Sequence, residues 1–175
     1  MKTLSMVKRL FLTTGFILLL QTLTQAQGIR MFHIERNKNS SIVCYDLEVD
    51  KNKSIDGKNP INAYWEMPDK NNARNTLSAI QYKLAYGVVV DEIKEDLLLF
   101  KLKAYPEREL KVVYDSEKQQ ANAFMLINGV FAIVSKLYIH ATPPLYSSVE
   151  YIILTGFDPE TGNTITEKII NGKTT

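Results

Sequence analysis

Apolar and polar residues alternate along most of the chain after residue 30, with the period of two that is typical of β-strands. The alternation predicts about ten short strands, at residues 31–37, 41–49, 62–67, 88–93, 97–104, 110–115, 121–128, 130–140, 149–157 and 164–170. Clusters rich in Gly, Pro, Asn and Asp predict turns at 50–60, 68–72, 105–107, 142–144 and 158–163. Asn128-Gly129 joins two apolar runs and is the strongest hairpin signal, because both residues accept the positive φ of a type I′ turn.

One segment departs from the strand period. Its apolar residues fall at the spacing of one helix face, at Leu77, Ile80 and Leu84. The spacing predicts a helix of about three turns over residues 75–86. Asn75 or Thr76 is the expected N-cap, and Gly87 is expected to end the helix.

Many short strands and a single helix predict a mainly β protein, α+β at most, and exclude a doubly wound sheet. The expected architecture is an antiparallel β-barrel or sandwich of about ten short strands with one helix packed against it. Three runs, 97–100, 124–127 and 149–154, are apolar at consecutive positions, which predicts strands covered on both faces. A sandwich and a barrel both supply that cover, and we favour a partly closed barrel.

The first 26 residues have the pattern of a secretory signal peptide. Lys2, Lys8 and Arg9 precede an apolar run at residues 10–20, and Thr24-Gln25-Ala26 offers small residues at the cleavage site. A retained membrane span needs about 20 apolar residues, more than this run provides. We therefore expect cleavage after Ala26, a single β-rich domain over residues 27–175, no remaining transmembrane segment, and a periplasmic or secreted location.

Composition and charge exclude several classes of protein. The 175 residues are 45% apolar and 23% charged, which is ordinary for a globular domain. Loss of the three cations of the signal peptide would leave 18 of the 21 basic residues against 19 acidic ones, a net charge of −1. We therefore expect no nucleic-acid partner. The single cysteine, Cys44, allows no intramolecular disulfide, and its apolar neighbours predict a buried, inert thiol.

Two metal sites are conceivable, and both have weak support. Oxygen ligands at Asp50, Asn52, Ser54 and Asp56 alternate as in an EF-hand loop, but isoleucines replace the required glycine and glutamate. A zinc site would need His33, Glu35 and His140 to converge from distant parts of the chain. We expect no metal and no cofactor.

The first predicted strand carries the strongest candidate chemistry. His33, Glu35 and Asn37 share one face, because strand side chains alternate. A histidine and a carboxylate two residues apart are the minimum for proton transfer. The same residues are also typical of a solvated or structural polar network, and both interpretations remain open.

Three blocks of the sequence resemble those of a known protein family. Residues 32–39 (FHIERNKN), Asn59-Pro60 with Tyr64-Trp65, and residues 83–87 (KLAYG) occur in order over most of the chain. This arrangement resembles a family of exported bacterial proteins of unknown function. The resemblance implies a small single-domain protein carried across the inner membrane of a Gram-negative bacterium. It implies no activity and no functional residues.

The candidate ligand-binding residues follow from these blocks and from the polar strand face. They are His33, Glu35, Arg36, Asn37, Tyr64, Lys83 and Tyr86. Lys101 and Lys136 interrupt apolar strands and are further candidates for an interior site. No catalytic residue is assigned.

Three functions fit this pattern. The first is binding of a small apolar or lipid-like ligand inside the β fold, with His33, Glu35 and Arg36 near its mouth. The second is a periplasmic hydrolase or lyase that uses His33 and Glu35 as an acid and base pair. The third is an interaction or structural module of the cell envelope. A continuous interior cavity would favour the first, and a cleft at His33 the second.

Overall fold

The computed structural model describes residues 28–142 and 148–170, together with the backbone of residues 173–174. Within these residues twelve strands form one sheet. They are β1 (Ile29–Arg36), β2 (Asn39–Leu47), β3 (Ile61–Met67), β4 (Ala73–Thr76), β5 (Val88–Lys94), β6 (Leu97–Leu102), β7 (Tyr105–Asp115), β8 (Gln120–Ile127), β9 (Val130–Thr142), β10 (Ser148–Phe157), β11 (Thr164–Ile170) and β12 (Lys173–Thr174). The predicted mainly β fold is confirmed.

The ten predicted strands correspond to β1 to β3 and β5 to β11. β7 begins at Tyr105, so the turn predicted at residues 105–107 is wrong and these residues extend the strand. β4 and β12 were not predicted. The predicted signal peptide, and Pro143 and Pro144 of one predicted turn, lie outside the described residues.

The hairpin between β8 and β9 has the predicted turn. Asn128 has φ 48° and Gly129 has φ 80°, both in the left-handed region. Ile127 and Val130 pair directly across the turn. The Asn-Gly dipeptide therefore sets the register of this hairpin, as its conformational preference requires.

The helix predicted over residues 75–86 is present only from Ala79 to Tyr86, and its predicted N-cap at Asn75 or Thr76 is wrong. β4 pairs with β3 as far as Thr76, and the chain becomes helical only at Ala79–Gln81, followed by a π-helical turn at Tyr82–Tyr86. Ser78 is the N-cap and forms a capping box with Gln81. Because residues 75 and 76 gain strand hydrogen bonds from β3, helical spacing alone does not decide their conformation.

Gly87 follows the helical segment at a position that has no room for a side chain. Gly87 has extended backbone, and a Cβ at this position would lie 2.0 Å from the carbonyl oxygen of Tyr82. The hydroxyl of the buried Tyr45 donates a hydrogen bond of 2.8 Å to the carbonyl of Tyr86. The helical segment is therefore tied to the core at its C-terminal end.

The sheet curls over itself. Its main path runs β4-β3-β2-β1-β9-β8-β7-β6-β5, and β10, β11 and β12 extend from the other edge of β9. Phe32 on β1 and Phe100 on β6 have ring centroids 6.4 Å apart. β1 and β8 pair with the same edge of β9, at different points along that strand, so the strands that follow each of them leave β9 on the same side. The two halves of the sheet therefore face each other across a shared core.

One strand pair among the described strands is parallel. β1 pairs parallel with the second half of β9, whereas the first half of β9 forms the hairpin with β8. Beyond the last paired residue of β1, the side-chain amide of Asn37 donates to the carbonyl of Ala141 at 2.9 Å and accepts from its backbone N–H at 3.0 Å. Asn37 thus prolongs the parallel ladder with its side chain.

Inward-facing residues of both halves form the core, and the largest fully buried side chains include Tyr45, Tyr114, Phe32 and Phe100. The prediction of strands covered on both faces is wrong for residues 124–127. Leu126 is 52% exposed because one face of β8 meets solvent, and Leu97 and Leu99 of β6 are only half-buried. In the part of the chain that the structure describes, no helix has the length and apolar character needed to cross a membrane.

Candidate functional site

A cavity of about 590 Å³ opens between the helical segment and the central strands. β1, β9 and β10 form one wall, and the helical segment and the turn between β6 and β7 form the other. Its apolar lining residues are Ile34, Leu84, Ala85, Leu102, Ala104, Leu137, Ile139, Val149 and Ile152. This volume and lining are typical of pockets for small apolar molecules.

Three residues bring polar atoms to the cavity: Arg36, Tyr86 and Tyr105. The Nη1 group of Arg36 donates a hydrogen bond of 2.9 Å to the hydroxyl of Tyr86. Burial raises the pKa of Tyr105, so its hydroxyl stays protonated near neutral pH. The cavity therefore combines a wide apolar wall with a few hydrogen-bonding groups.

A smaller depression of about 350 Å³ continues from this cavity. Ala104, Tyr105, Val149 and Ile152 line both. The depression extends to Arg108, whose Nη1 group lies 2.9 Å from Oε2 of the buried Glu167. The pKa of Arg108 is raised by this hydrogen bond, which keeps the guanidinium charged at the far end of the groove.

Two further depressions are more open to solvent. One, of about 760 Å³, lies between the helical segment and β3, and its lining includes the carboxylates of Glu48 and Asp56. The other, of about 530 Å³, lies at the hairpin between β5 and β6. Neither encloses an apolar volume.

His33 and Glu35 lie on the outer face of β1, away from the cavity. Nε2 of His33 lies 3.1 Å from Oε1 of Glu35, and Nζ of Lys136 lies 3.1 Å from Oε2 of Glu35. Burial raises the pKa of Glu35, but the hydrogen bonds with His33 and Lys136 outweigh it, so the pKa is lowered overall. Glu35 is therefore an ion-pair partner that stays deprotonated near neutral pH, which suits a general acid poorly.

Tyr64 belongs to a second polar cluster on the outer face. Its hydroxyl donates to Oδ2 of the buried Asp46 at 2.7 Å, and Arg30 donates to Tyr64, Asp46 and Glu66. Burial and the bond to Asp46 raise the pKa of Tyr64 to about 12. The guanidinium of Arg74 stacks over the Tyr64 ring, 4.7 Å from its centroid. These contacts satisfy a buried carboxylate and leave the tyrosine protonated.

Cys44 lies beneath this cluster and is fully buried. Burial raises the pKa of its thiol to about 12. The predicted buried, unreactive thiol is confirmed in its placement, and this cysteine is not a nucleophile candidate.

The remaining lysine candidates face solvent or carboxylates instead of the cavity. Lys83 is exposed on the helical segment. Lys101 pairs with Asp91 at 2.9 Å, and Lys136 pairs with Glu35. The suggestion that Lys101 or Lys136 marks an interior site is therefore wrong, because both side chains project from the outward side of their strands.

His140 is also on the outer face and forms an aromatic cluster. Its ring stacks on Tyr151, with centroids 4.7 Å apart, and Nζ of Lys168 lies 4.1 Å from the centroid of the Tyr151 ring.

Within the described residues, no three His, Cys, Asp or Glu side chains are grouped to hold a metal ion. Oδ1 of Asp50 accepts hydrogen bonds from the backbone N–H groups of Asn52 and Ser54, so this side chain stabilises a turn.

The structure thus separates the seven candidate residues. Arg36 and Tyr86 line the cavity, His33 and Glu35 form an ion-pair network, Asn37 extends a strand ladder, Tyr64 supports Asp46, and Lys83 is exposed. Sequence reasoning did not identify Tyr105, Leu102, Ile139 and Ile152 as lining residues. The alternation along β9 indicated that Ile139 faces inward with Leu137, whereas the consecutive apolar residues of β10 indicated no facing for Ile152, and no local signal indicated that either meets Tyr86.

No curated protein and no solved structure matches the chain. A family model described as a domain of unknown function, DUF4833, matches residues 32–168. The match includes all three blocks that carried the resemblance and most of the curled sheet. The chain therefore belongs to the DUF4833 family, a domain of unknown function.

Proposed function

We propose that this protein binds a small apolar or lipid-like molecule in the cavity beside Tyr86. The observation that carries the proposal is the cavity of about 590 Å³ with its largely aliphatic wall. Burying apolar ligand surface there gains about 25 cal/mol per Å² before the costs of association. Arg36 of one wall and Tyr86 of the other are hydrogen-bonded to each other, and together they supply polar contacts that orient a ligand with a polar end.

A substitution that fills the cavity tests this function. Ala104 lines the cavity and is exposed at its opening, so Ala104→Phe places a ring there at little cost to the fold. Ala73→Phe on β4 makes the same change at an exposed alanine outside the cavity. Titration with the uncharged fluorescent dye N-phenylnaphthylamine is the measurement. We expect Ala104→Phe to weaken binding about tenfold, because the ring occupies space that the dye would fill and leaves about 55 Å² of dye surface unburied, which costs about 1.4 kcal/mol.

Unchanged dye affinity in Ala104→Phe, or equal losses in both variants, would exclude the cavity as the binding site. Melting temperatures of the two variants provide the control for folding. Both should match the wild type, because both alanines are exposed.

The second candidate function is acid and base catalysis by His33 and Glu35. The hydrogen bond of 3.1 Å between them is the observation that favours it. Because His33→Ala and Glu35→Ala change the outer face and leave the cavity lining intact, an activity that these variants lose while they still bind the dye would belong to His33 and Glu35. Dye binding is expected to be unchanged in both.

We also propose export, with residues 1–26 removed. Intact mass spectrometry of protein secreted by its own host should give a chain that begins at Gln27, with or without cyclisation of that glutamine. A mass that retains residues 1–26 would contradict export by cleavage.

A further inference from the structure

The helical segment beside the cavity carries the most exposed large apolar side chains of the described chain. Ile80 is 71% exposed and Leu84 is 69% exposed. Tyr82, between them, is 37% exposed. We call residues 78–86 the rim, because Leu84 both lines the cavity and faces solvent, which places this segment at the opening.

The core does not require this apolar character. Leu77 and Tyr86, at the two ends, are buried and anchor the segment. Ile80 and Leu84 lie four residues apart and project away from those anchors into solvent. A cluster of exposed apolar side chains at a cavity opening marks a surface that contacts another apolar phase.

The rim itself carries only basic charge, and the carboxylates of Glu48 and Asp56 lie on its β3 side, in the depression that Ala79 and Tyr82 also line. Between Thr76 and Asp91 the only charged residue is Lys83, which is exposed. Nζ of Lys103 lies 4.9 Å from the centroid of the Tyr82 ring. The next charged residue along the chain after Lys83 is Asp91, and its carboxylate is paired with Lys101. An apolar surface flanked by ammonium groups complements the acyl boundary and headgroups of anionic lipids.

We propose that the rim docks the protein on the surface of an anionic lipid bilayer, so that the cavity opening faces the membrane. Ile80 and Leu84 enter the acyl boundary, and Lys83 and Lys103 lie among the lipid headgroups. This proposal rests on the proposed function, since a membrane would be the source or destination of the lipid-like ligand. A second copy of the chain fits less well, because a stable dimer buries about 800 Å² per partner and the rim offers three exposed apolar side chains.

Flotation with lipid vesicles tests the docking. The purified protein should float with vesicles that contain phosphatidylglycerol, and weakly with pure phosphatidylcholine vesicles. Ile80→Glu should lower the partition coefficient about tenfold, because it removes an apolar contact and adds repulsion. Lys83→Gln should lower it about fivefold, the effect of one cation near an anionic surface.

The matched control is Leu126→Glu, the same kind of change at an apolar residue of β8 that is 52% exposed and outside the rim. Its flotation should equal that of the wild type. Neither Ile80 nor Lys83 lines the cavity, so N-phenylnaphthylamine binding should be unchanged in all three variants. This readout separates failure of docking from failure of ligand binding.

Two results would overturn the proposal. The first is a wild-type protein that binds the dye but does not float with anionic vesicles. The second is equal flotation of Ile80→Glu and the wild type. Size-exclusion chromatography identifies the competing occupant: a wild-type dimer that Ile80→Glu converts to a monomer, without flotation, would assign the rim to self-association. Absence of dye binding by the wild type would instead contradict the proposed function.

Discussion

The Nη1 group of Arg36 donates a hydrogen bond of 2.9 Å to the hydroxyl of Tyr86, 50 residues further along the chain. This bond joins β1 to the helical segment across the cavity wall. Both residues occur in blocks that carried the family resemblance, and both lie within the matched residues 32–168. The cavity is therefore built from segments that the family shares.

Loss of the Tyr86 hydroxyl tests the strength of this link. Tyr86→Phe keeps the ring and the edge contact with Trp65, whose centroid is 5.3 Å away. We expect the free energy of unfolding to fall by about 1 kcal/mol, the usual contribution of one hydrogen bond. Tyr82→Phe is the control, because Tyr82 is half exposed and contacts Lys103 through its ring. Equal denaturation midpoints for wild type and Tyr86→Phe would show that this hydrogen bond does not contribute to the free energy of unfolding.

The ion pair between Arg108 and Glu167 should contribute more to the free energy of unfolding than the hydrogen bond of Tyr86. Arg108→Met leaves the buried carboxylate of Glu167 without its guanidinium, and breaking such a pair costs about 3 kcal/mol. The double variant Arg108→Met with Glu167→Gln should recover part of this loss. Urea unfolding measures both. Lys101→Met, which breaks the exposed pair with Asp91, should unfold at the wild-type midpoint. A loss for Arg108→Met as small as that control would contradict a structural role.

The network around Glu35 predicts a pH dependence. The pKa of Glu35 is lowered in the folded state, so its contribution to stability is present above the unfolded pKa of about 4.3 and is lost as pH falls through the folded pKa. Glu35→Gln should therefore lower the free energy of unfolding at pH 7 by less than about 1 kcal/mol, since the pair is partly exposed. At pH 3 the difference from wild type should shrink. A difference that grows on acidification would reverse the sign and contradict the assigned ion pair.

The thiol of Cys44 should be protected. With its pKa raised to about 12 by burial, it has about one part in ten thousand thiolate at pH 8. A disulfide reagent should modify the native protein far more slowly than the denatured protein. Cys44→Ser combined with Ser40→Cys moves the thiol to an exposed position on the same strand and should react rapidly. Comparable rates for the wild type and this variant would contradict burial.

Sequence alternation predicts most of the strands because the sheet buries one face along most of its length. β7 illustrates this: Leu110, Val112 and Tyr114 are buried at alternate positions. β4 has no such signal, since all four residues are exposed and pairing with β3 alone holds them in a strand. The helix prediction is wrong in its first turn, where the same pairing with β3 holds residues 75 and 76 in β4. Its apolar spacing is real, but Ile80 and Leu84 face solvent instead of the core.

The cavity could be predicted only in part. Alternation places His33 and Glu35 on one face, as the structure shows, and Arg36 on the other face, whereas the side chain of Asn37 bonds the backbone of Ala141 instead of joining His33. Grouping Arg36 with His33 was therefore inconsistent with the alternation. The contact between Arg36 and Tyr86 depends on the curl of the sheet and the parallel pairing of β1 with β9. Neither leaves a local signal in the sequence.

Native mass spectrometry detects a ligand in the cavity beside Tyr86. The protein is measured as purified from its own host and again after incubation with excess hexadecanol, which fits the size and apolar character of the cavity. We expect a one-to-one complex in at least one of the two samples, and its loss in Ala104→Phe but not in Ala73→Phe. A wild-type protein that remains free of any bound molecule in both samples would contradict ligand binding in this cavity.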